Sequence, residues 1–350
     1  DTLYGGDDDD TLHGNDNDDV LSGNLGNDEI YGDDGVDTIY GGDGNDFLYG
    51  GNGNDTMYGG HGPLDTDATD NNDTMYGGAG DDTMNGTAGN DAIYGEAGND
   101  IIGGGLGDDL LDGGDNNDDI TGGSGNDIIY GGSGNDLIIG DISTSDSETE
   151  GGDDIIYAGS GIDAIKGGAG NDVLYGEADP DDLYGGNGDD VLHPGTGNGN
   201  YIWGGNGSDR FVITPRYAAN LDIIFDYNVN DQNERIDLSQ FGITSSDWGS
   251  RIWMVDGIVF SIPNGSGGFT NYNAMALLIR NAPGTLSNPI NLSDPNFQKI
   301  YLANVTSAQF SAANVLFAAN DGPVWGTDEV DTLTGTDDND VIYGAAGDDT

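Results

Sequence analysis

Between Asp10 and Asp190 an aspartate returns every nine residues. The frame has 21 such positions, and 19 of them are aspartate: Asp10, Asp19, Asp28, Asp37, Asp46, Asp55, Asp73, Asp82, Asp91, Asp100, Asp109, Asp118, Asp127, Asp136, Asp154, Asp163, Asp172, Asp181 and Asp190. Only Leu64 and Ser145 interrupt the series. Two places after each acid stands a large aliphatic residue, from Leu12, Leu21, Ile30 and Ile39 through to Leu192, and its two exceptions, Thr66 and Ser147, fall in the same two repeats. Glycines fill the opening of each unit, most cleanly in GGDGNDFLY (41–49) and GGSGNDIIY (122–130). One such string would be weak evidence. This many in register establish a repeat architecture, and the composition has to be read against it.

Residues 1–200 hold 47 acidic side chains and one base, Lys166. Such a density repels itself in any compact fold, and with few apolar residues it would ordinarily leave the chain disordered. The periodic aliphatic residue requires burial, so something must neutralise the carboxylates. Nucleic acid and anionic membrane surfaces carry the wrong sign of charge, which leaves divalent cations. With no cysteine in the chain, disulfides, thiol chemistry and zinc–thiolate sites are excluded. No apolar run is long enough to span a bilayer. The lack of an initiator Met or leader peptide reads as part of a longer product.

Each unit reads as a six-residue turn followed by a three-residue strand. Glycines at the first, second and fourth places permit the positive φ of a tight turn and leave carbonyls pointing inward. The sixth-place aspartate adds a carboxylate, and the strand buries its middle, aliphatic side chain. Hard oxygen donors in such number suit calcium, whereas magnesium demands a tighter octahedron and keeps its waters. The candidate ligands are the nineteen aspartates together with the turns Gly41-Gly42-Asp43-Gly44, Gly51 and Gly53, Gly122-Gly123-Ser124-Gly125, Gly131-Gly132-Ser133-Gly134 and Gly167-Gly168-Ala169-Gly170. Roughly one ion per unit brings about 20 ions, or about +40, against a net charge of −46 over residues 1–200. Ion binding and folding are then one event. A flexible acidic linker, the plainer reading, has no need of an aliphatic residue every nine positions.

The units closely resemble the RTX, or haemolysin-type, nonapeptide GGxGxDxUx, in which U is large and aliphatic. The resemblance implies a right-handed parallel β-roll with two nonapeptides per turn and calcium held between one turn and the next. It also implies the ligand set: carbonyls at the second and fourth places and the sixth-place Asp of one turn, with carbonyls at the first and third places and the Asp of the next. Carried onto this chain, Gly42, Gly44 and Asp46 face Gly59 and His61, with Leu64 in place of the second carboxylate, so that site is expected to be impaired. On the other edge Gly51, Gly53 and Asp55 face Ala68, Asp70 and Asp73. Near the start, Asp and Asn replace glycines in DDDDTLH and NDNDDVLS. Both types tolerate left-handed backbone, and weaker binding is expected there.

The failed repeats, 63–73 and 141–154, preserve the spacing around them. They read as half-turns that loop out and rejoin in phase, and their separation of nine frames, an odd number, places them on opposite sheets. Tyrosine ends the strand in ten repeats, and Tyr40, Tyr58, Tyr76 and Tyr94 are expected to stack as one outward ladder on one sheet.

After Asp190 the frame slips by one, and WGGNGSDRFVI, with Asp209 as its acid, is the last clear turn. Six of the seven basic residues lie beyond residue 209. Expected strands are LDIIFDY, RIDLS, RIWMVDGIVFSI, AMALLIRNA, KIYLANV and SAQFSAANVLF. DIIFDYNVNDQNERIDLSQFG and the tail IYLANVTSAQFSAANVLF resemble the C-terminal β-domain of serralysin-type proteins, which implies a cap over the open end of the roll. Asp226, Asn228, Asn230 and Asp237 have a loose EF-hand-like spacing without the central glycine, and read as a polar turn. A new array then begins, with Asp331, Asp340 and Asp349 nine apart. Joining its end to the opening Asp1-Thr2 continues the motif, as in one period of a tandem array.

The expected architecture is all-β: a β-roll over residues 1–210, a β-rich capping domain over 211–320 and the start of a second roll over 321–350. Three histidines, no H-E-x-x-H and no G-x-S-x-G argue against an enzyme and leave no catalytic residue to name. The expected function is an extracellular or cell-surface structural module, folded by calcium and associating with itself or continuing in tandem as a filament, surface layer or adhesin. The alternative is the non-catalytic export and folding module of a type I-secreted enzyme or toxin.

Overall fold

The structure is a computed structural model that describes residues 1–62, 72–141, 151–215, 221–228, 230–231, 233–241, 252–264, 268–280, 297–305, 309–310, 315–316, 324–325 and 342–343. Leu64, Thr66, Ala68, Asp70, Ser145, Ser147, Asp331, Asp340 and Asp349 lie outside the described residues. The chain is all-β: apart from the short 3-10 turn Ser239–Phe241, the described elements are strands. Two compact units cover Asp1–Gly188 and Asp189–Thr350.

The first unit is a parallel β-solenoid. Its strands alternate between two sheets, so each strand pairs with the next but one in sequence. Thr38–Asp43, for example, pairs with Val20–Leu25 on one side and Thr56–Tyr58 on the other. The register advances by two nonapeptides per turn, as in Leu21↔Ile39 and Leu111↔Ile129. Within each strand the first and third residues face outward and the second faces inward, as the two-residue period of a strand demands. All nineteen aliphatic residues of the frame are buried, from Leu12 to Leu192. The core of the roll is thus a stack of single side chains, one per strand.

Glycine is required in the turns for two different reasons. Gly42 and Gly44 have φ of 117° and 131°, the region that side-chain-bearing residues avoid. Asn15, Asn24 and Asp33 occupy the second place with φ of 71°, 78° and 74°, as expected of Asn and Asp. First-place glycines such as Gly41 are outside the positive-φ set. There the constraint is space: a Cβ on Gly41 would lie 2.4 Å from Asp46 Oδ2 and 2.3 Å from the Gly59 carbonyl.

Two places depart from this step. Phe47 pairs with Thr74 and Thr56 with Thr83, each three nonapeptides on. The same longer step recurs at Ile128↔Ile155 and Leu137↔Ala164. At each place the pairing passes over one nonapeptide, whose residues, 63–71 and 142–150, lie outside the described residues, so it does not count as a rung. Both excursions depart from strands of the same sheet, Thr56–Tyr58 and Leu137–Ile139, and return to the other, at Thr74–Ala79 and Ile155–Ser160. Both interruptions therefore fall at the same step between the two sheets, where nine frames, an odd number, would set them at opposite steps, because the pairing passes over the first one in the alternation. The same removal splits the expected tyrosine ladder. Tyr40 stacks on Tyr58 in one sheet, and Tyr76 on Tyr94 in the other.

In the second unit the parallel pattern continues with a step one residue longer than two nonapeptides, Val191↔Arg210 and Leu192↔Phe211, which is the slip of one seen in the frame. Arg210–Val212, Arg235–Asp237 and Val315–Leu316 follow in one sheet. In the other, Tyr201–Asn206, Leu221–Ile224 and Phe297–Ala303 run parallel before the antiparallel strands Gly268–Arg280 and Ile252–Asn264. All six expected segments contain a strand. Trp203 stacks on Phe225 at 4.3 Å within a cluster that includes Ile223, Ala303 and Tyr301. Beyond these strands Val324–Trp325 pairs in parallel with Ile342–Tyr343, again two nonapeptides apart.

Candidate metal sites

The frame aspartates form two ladders, one along each edge of the roll. Each side chain turns back toward the preceding turn, where its Oδ1 accepts the main-chain N–H of the aspartate there: Asp28 N–H to Asp46 at 2.8 Å, Asp91 to Asp109 at 2.8 Å, Asp118 to Asp136 at 2.9 Å. From Asp19 to Asp190 every frame aspartate is at most 3% exposed, and Asp209 matches them; Asp10, on the first rung, is only half-buried. Asp190 N–H donates to Asp209 Oδ1 at 3.1 Å, which extends the ladder across the slip of one residue.

The second carboxylate oxygen tests whether a cation fits. Oδ2 of Asp28, Asp37, Asp55, Asp82, Asp100, Asp109, Asp118, Asp127, Asp136, Asp154 and Asp163 is buried without a hydrogen-bond partner. Anionic oxygens are not left so without compensation, and Lys166, the single base of residues 1–200, cannot supply it. With only protein groups around them, burial pushes these acids upward, aided by neighbouring carboxylates except at Asp55 and Asp136, against the lowering effect of the backbone hydrogen bond. Asp82 and Asp118 rise to about 7, Asp109 to about 8 and Asp154 to about 9.

Main-chain oxygens converge on the same boundary between turns. The first-place carbonyl of Gly59 accepts Gly42 N–H at 2.8 Å, and the third-place carbonyl of Asp43 accepts Gly26 N–H at 2.9 Å. Asp46 Oδ2 and the Gly59 carbonyl both close on the space over Gly41. Gly123 N–H to the Gly140 carbonyl and Gly107 N–H to the Ser124 carbonyl repeat the pattern. Among the described residues no group of three or more acidic or histidine side chains is placed to hold a metal ion. Any cation in these turns must therefore draw on carbonyls as well as carboxylates. All are hard oxygen donors, a set that fits calcium and offers little to a softer transition metal.

The excisions change two expected ligand sets. Gly42, Gly44 and Asp46 do meet the turn of Gly59 and His61, but the carboxylate on that rung is Asp73, whose Oδ1 accepts Asp46 N–H at 2.7 Å. The gap assigned to Leu64 does not arise in the ladder. On the other edge Asp55 N–H donates to Asp82 at 2.6 Å and Gly53 N–H to the Ala79 carbonyl at 2.7 Å. Gly51, Gly53 and Asp55 therefore face residues 77–82 instead of Ala68, Asp70 and Asp73. Asp127 is matched with Asp154, and Asp136 with Asp163, at the second excision.

Several residues escaped the sequence reading. A second ladder runs on the surface through the fifth place: Asn45 N–H donates to Asn27 Oδ1, Asn72 to Asn45 and Asn90 to Asn72, each at 2.9 Å. It points the opposite way from the buried ladder, and its signal was the recurrence of Asn or Asp just before the frame aspartate. Asp141, 2% exposed, closes the neck of the second excision, its carboxylate accepting N–H groups of Gly152 (3.4 Å) and Ala169 (3.2 Å). The EF-hand-like set does not come together. Asp226 accepts Gly204 and Gly205 N–H, Asn228 Oδ1 accepts Asn230 N–H, and Asp237 binds Arg210. That segment is a polar turn whose buried acid, Glu234, accepts Asn228 N–H at 2.8 Å and is raised by burial to about 8.

A search of curated proteins finds none that matches the chain. Similar solved structures include two solution structures from the Azotobacter vinelandii mannuronan C5-epimerase. Its AlgE6R2 subunit is 21% identical, with a TM-score of 0.24, over 57% of this chain and 91% of that one. Its AlgE6R3 subunit is also 21% identical, with a TM-score of 0.25, over 65% and 93%. The family model of the RTX calcium-binding nonapeptide repeat (4 copies) matches residues 1–30, 31–62, 67–102, 76–111, 112–142, 148–183, 166–200 and 325–350, which is more than half of the sequence. With its acid ladders, glycine turns and parallel two-unit turns, the chain belongs to the RTX calcium-binding nonapeptide repeat family.

Proposed function

We propose that this chain is an extracellular structural module whose roll is assembled and stiffened by calcium, as part of a filament, surface layer or long adhesin, and that it is not itself an enzyme. The observation that carries the reading is the pair of buried aspartate ladders. The unpartnered Oδ2 atoms of Asp28, Asp37, Asp55, Asp82 and the seven others named above make the fold dependent on a cation, and the sites stay empty wherever calcium is scarce. Extracellular calcium modules commonly bind at about 10⁻⁴–10⁻³ M, concentrations met outside cells. Roughly one ion per nonapeptide, some 20 in all, would offset most of the charge. The pairing of Val324–Trp325 with Ile342–Tyr343 at the two-nonapeptide step supports a second roll over residues 321–350, after a β-rich cap over 211–320. An export tail has no need of such a restart, which favours the structural reading over a secretion module.

Circular dichroism during a calcium titration and then chelation, paired with electron microscopy, tests the proposal. Calcium should induce the β-sheet signal and chelation should remove it, and the loaded chain should form rods that join end to end. A spectrum indifferent to calcium would sink the cation-dependent fold. Calcium-folded rods that never join would leave the secretion module as the better reading.

A further inference from the structure

The two edges of the second unit close their rungs in different ways. On one edge the acid ladder continues, with Asp209 Oδ1 accepting Asp190 N–H at 3.1 Å. On the other, the frame place falls on Asn200. Its carbonyl accepts the N–H of Ile223 at 2.9 Å, just as the Asp190 carbonyl accepts that of Arg210 at 2.8 Å. Asn200 and Asp222 therefore stand on successive rungs as two frame acids would, and both are fully buried. The turn that leads to Asn200 is also unlike the metal turns. It opens on Pro194 and takes seven residues, 194–200, between the strands Val191–His193 and Tyr201–Asn206.

An amide differs from a carboxylate in having hydrogens to give. Asn200 Nδ2 donates to Asp222 Oδ1 at 2.9 Å and to the Pro194 carbonyl at 3.1 Å, so its two N–H groups meet two oxygens that have nothing to donate. Those partners fix the orientation of the amide, because the reverse would turn its oxygen on a carboxylate and a carbonyl. An aspartate in this place would do the same, and would bring acceptors alone together in a buried rung. That is the arrangement that marks the cation sites of the roll. We infer that the Asn200 amide replaces a calcium ion, so that the rung of Asn200 and Asp222 is closed by hydrogen bonds and forms without the metal. The inference rests on the calcium-assembled roll proposed above, since only there does an ion need replacing.

Packing at this rung supports the same conclusion. Tyr201–Asn206 pairs with Leu221–Ile224, and Trp203 stacks on Phe225 at 4.3 Å in a cluster with Ile223, Tyr201, Leu221 and Tyr301. Apolar burial of this kind needs no ion. A hydrogen bond from an amide to a carboxylate is stronger than one between neutral groups, and the rung carries one acid where a metal rung carries two.

Hydrogen exchange and native mass spectrometry on the full chain test the inference. The N–H of Ile223 bonds the Asn200 carbonyl and that of Phe225 the Ile202 carbonyl, so both report on the rung. In excess chelator they should exchange about tenfold or more slowly than the amides of Thr38–Asp43 in the roll. Asn200→Asp should lose that protection in chelator, recover it in calcium chloride and hold one calcium ion more than the native chain. Asn200→Asp combined with Asp222→Asn sets an amide against a carboxylate again and should match the native chain in both respects, which a merely structural role for Asn200 would not produce. Equal ion counts for the native chain and Asn200→Asp overturn the inference, as does a native Ile223 that exchanges as fast as the roll in chelator. Protection of Thr38–Asp43 in chelator would instead refute the calcium-assembled roll, and the ion count of Asn200→Asp would still decide for or against the amide.

Discussion

At the scale of single residues, the nine-residue motif combines two demands that look alike in sequence. The second and fourth glycines are needed for backbone sign, and Asn or Asp can stand in at the second place, as at Asn24 and Asp33. First-place glycine is needed because the aspartate five residues later lies where its Cβ would be. Gly41→Ala should therefore cost about 1–3 kcal/mol by forcing Asp46 off its rung, even though alanine suits the backbone there. The calcium-dependent melting temperature measures it; a variant as stable as the native chain would show that the carboxylate has room to move. The motif made glycine's presence plain but not the reason for it at each place, because a contact between turns leaves no mark in the local sequence.

At the scale of elements, much is legible in the sequence. The three-residue strands, the buried aliphatic stack and the slip after Asp190 follow from spacing, and the two-unit turn from the resemblance to the RTX nonapeptide. The pairing partners around the two interruptions do not. Spacing alone gives the same frame whether a nonapeptide stays in the stack or leaves it. The difference lies in whether Asp46 finds residue 64 or Asp73, and the chain's energetics favour the partner that can carry the ladder: a leucine offers no acceptor for the Asp46 N–H. Deleting residues 63–71 should consequently leave the roll intact, since Gly62 would lead directly into Asn72 and Asp73. Such a variant is expected to keep the calcium-induced circular dichroism signal and to melt within a few degrees of the native chain. Loss of the β-sheet signal would show that the excised unit supports the stack.

At the scale of the whole molecule, the buried acids make calcium and protons interchangeable within limits. An acid whose pKa is higher in the folded than in the unfolded state binds its proton more tightly when folded. Without calcium, folding is then favoured as pH falls and is lost as pH rises through the raised values, from about 6 at Asp37 and Asp100 to about 9 at Asp154. In excess chelator, the β-sheet signal should grow between pH 8 and pH 5. With calcium at limiting concentration the dependence should reverse, because protons compete with the ion for the same oxygens. Circular dichroism across that range with and without chelator checks both halves. An identical trend in the two conditions would detach the raised acidity from the metal sites.

The two excisions carry one further consequence. Consecutive units go to opposite sheets, so the side of the roll on which an outward residue lands depends only on whether an odd or even number of units precedes it in the stack. A unit that loops out is skipped in that count, which makes each excision a binary digit written into the chain. Moving a single nonapeptide into or out of the stack would carry every tyrosine beyond it to the opposite side and every later aspartate to the opposite edge, with new ladder partners at the junction, as at Asp46 and Asp73. The outer face of every later strand can thus be rewritten by one repeat, without substituting a single residue of the core.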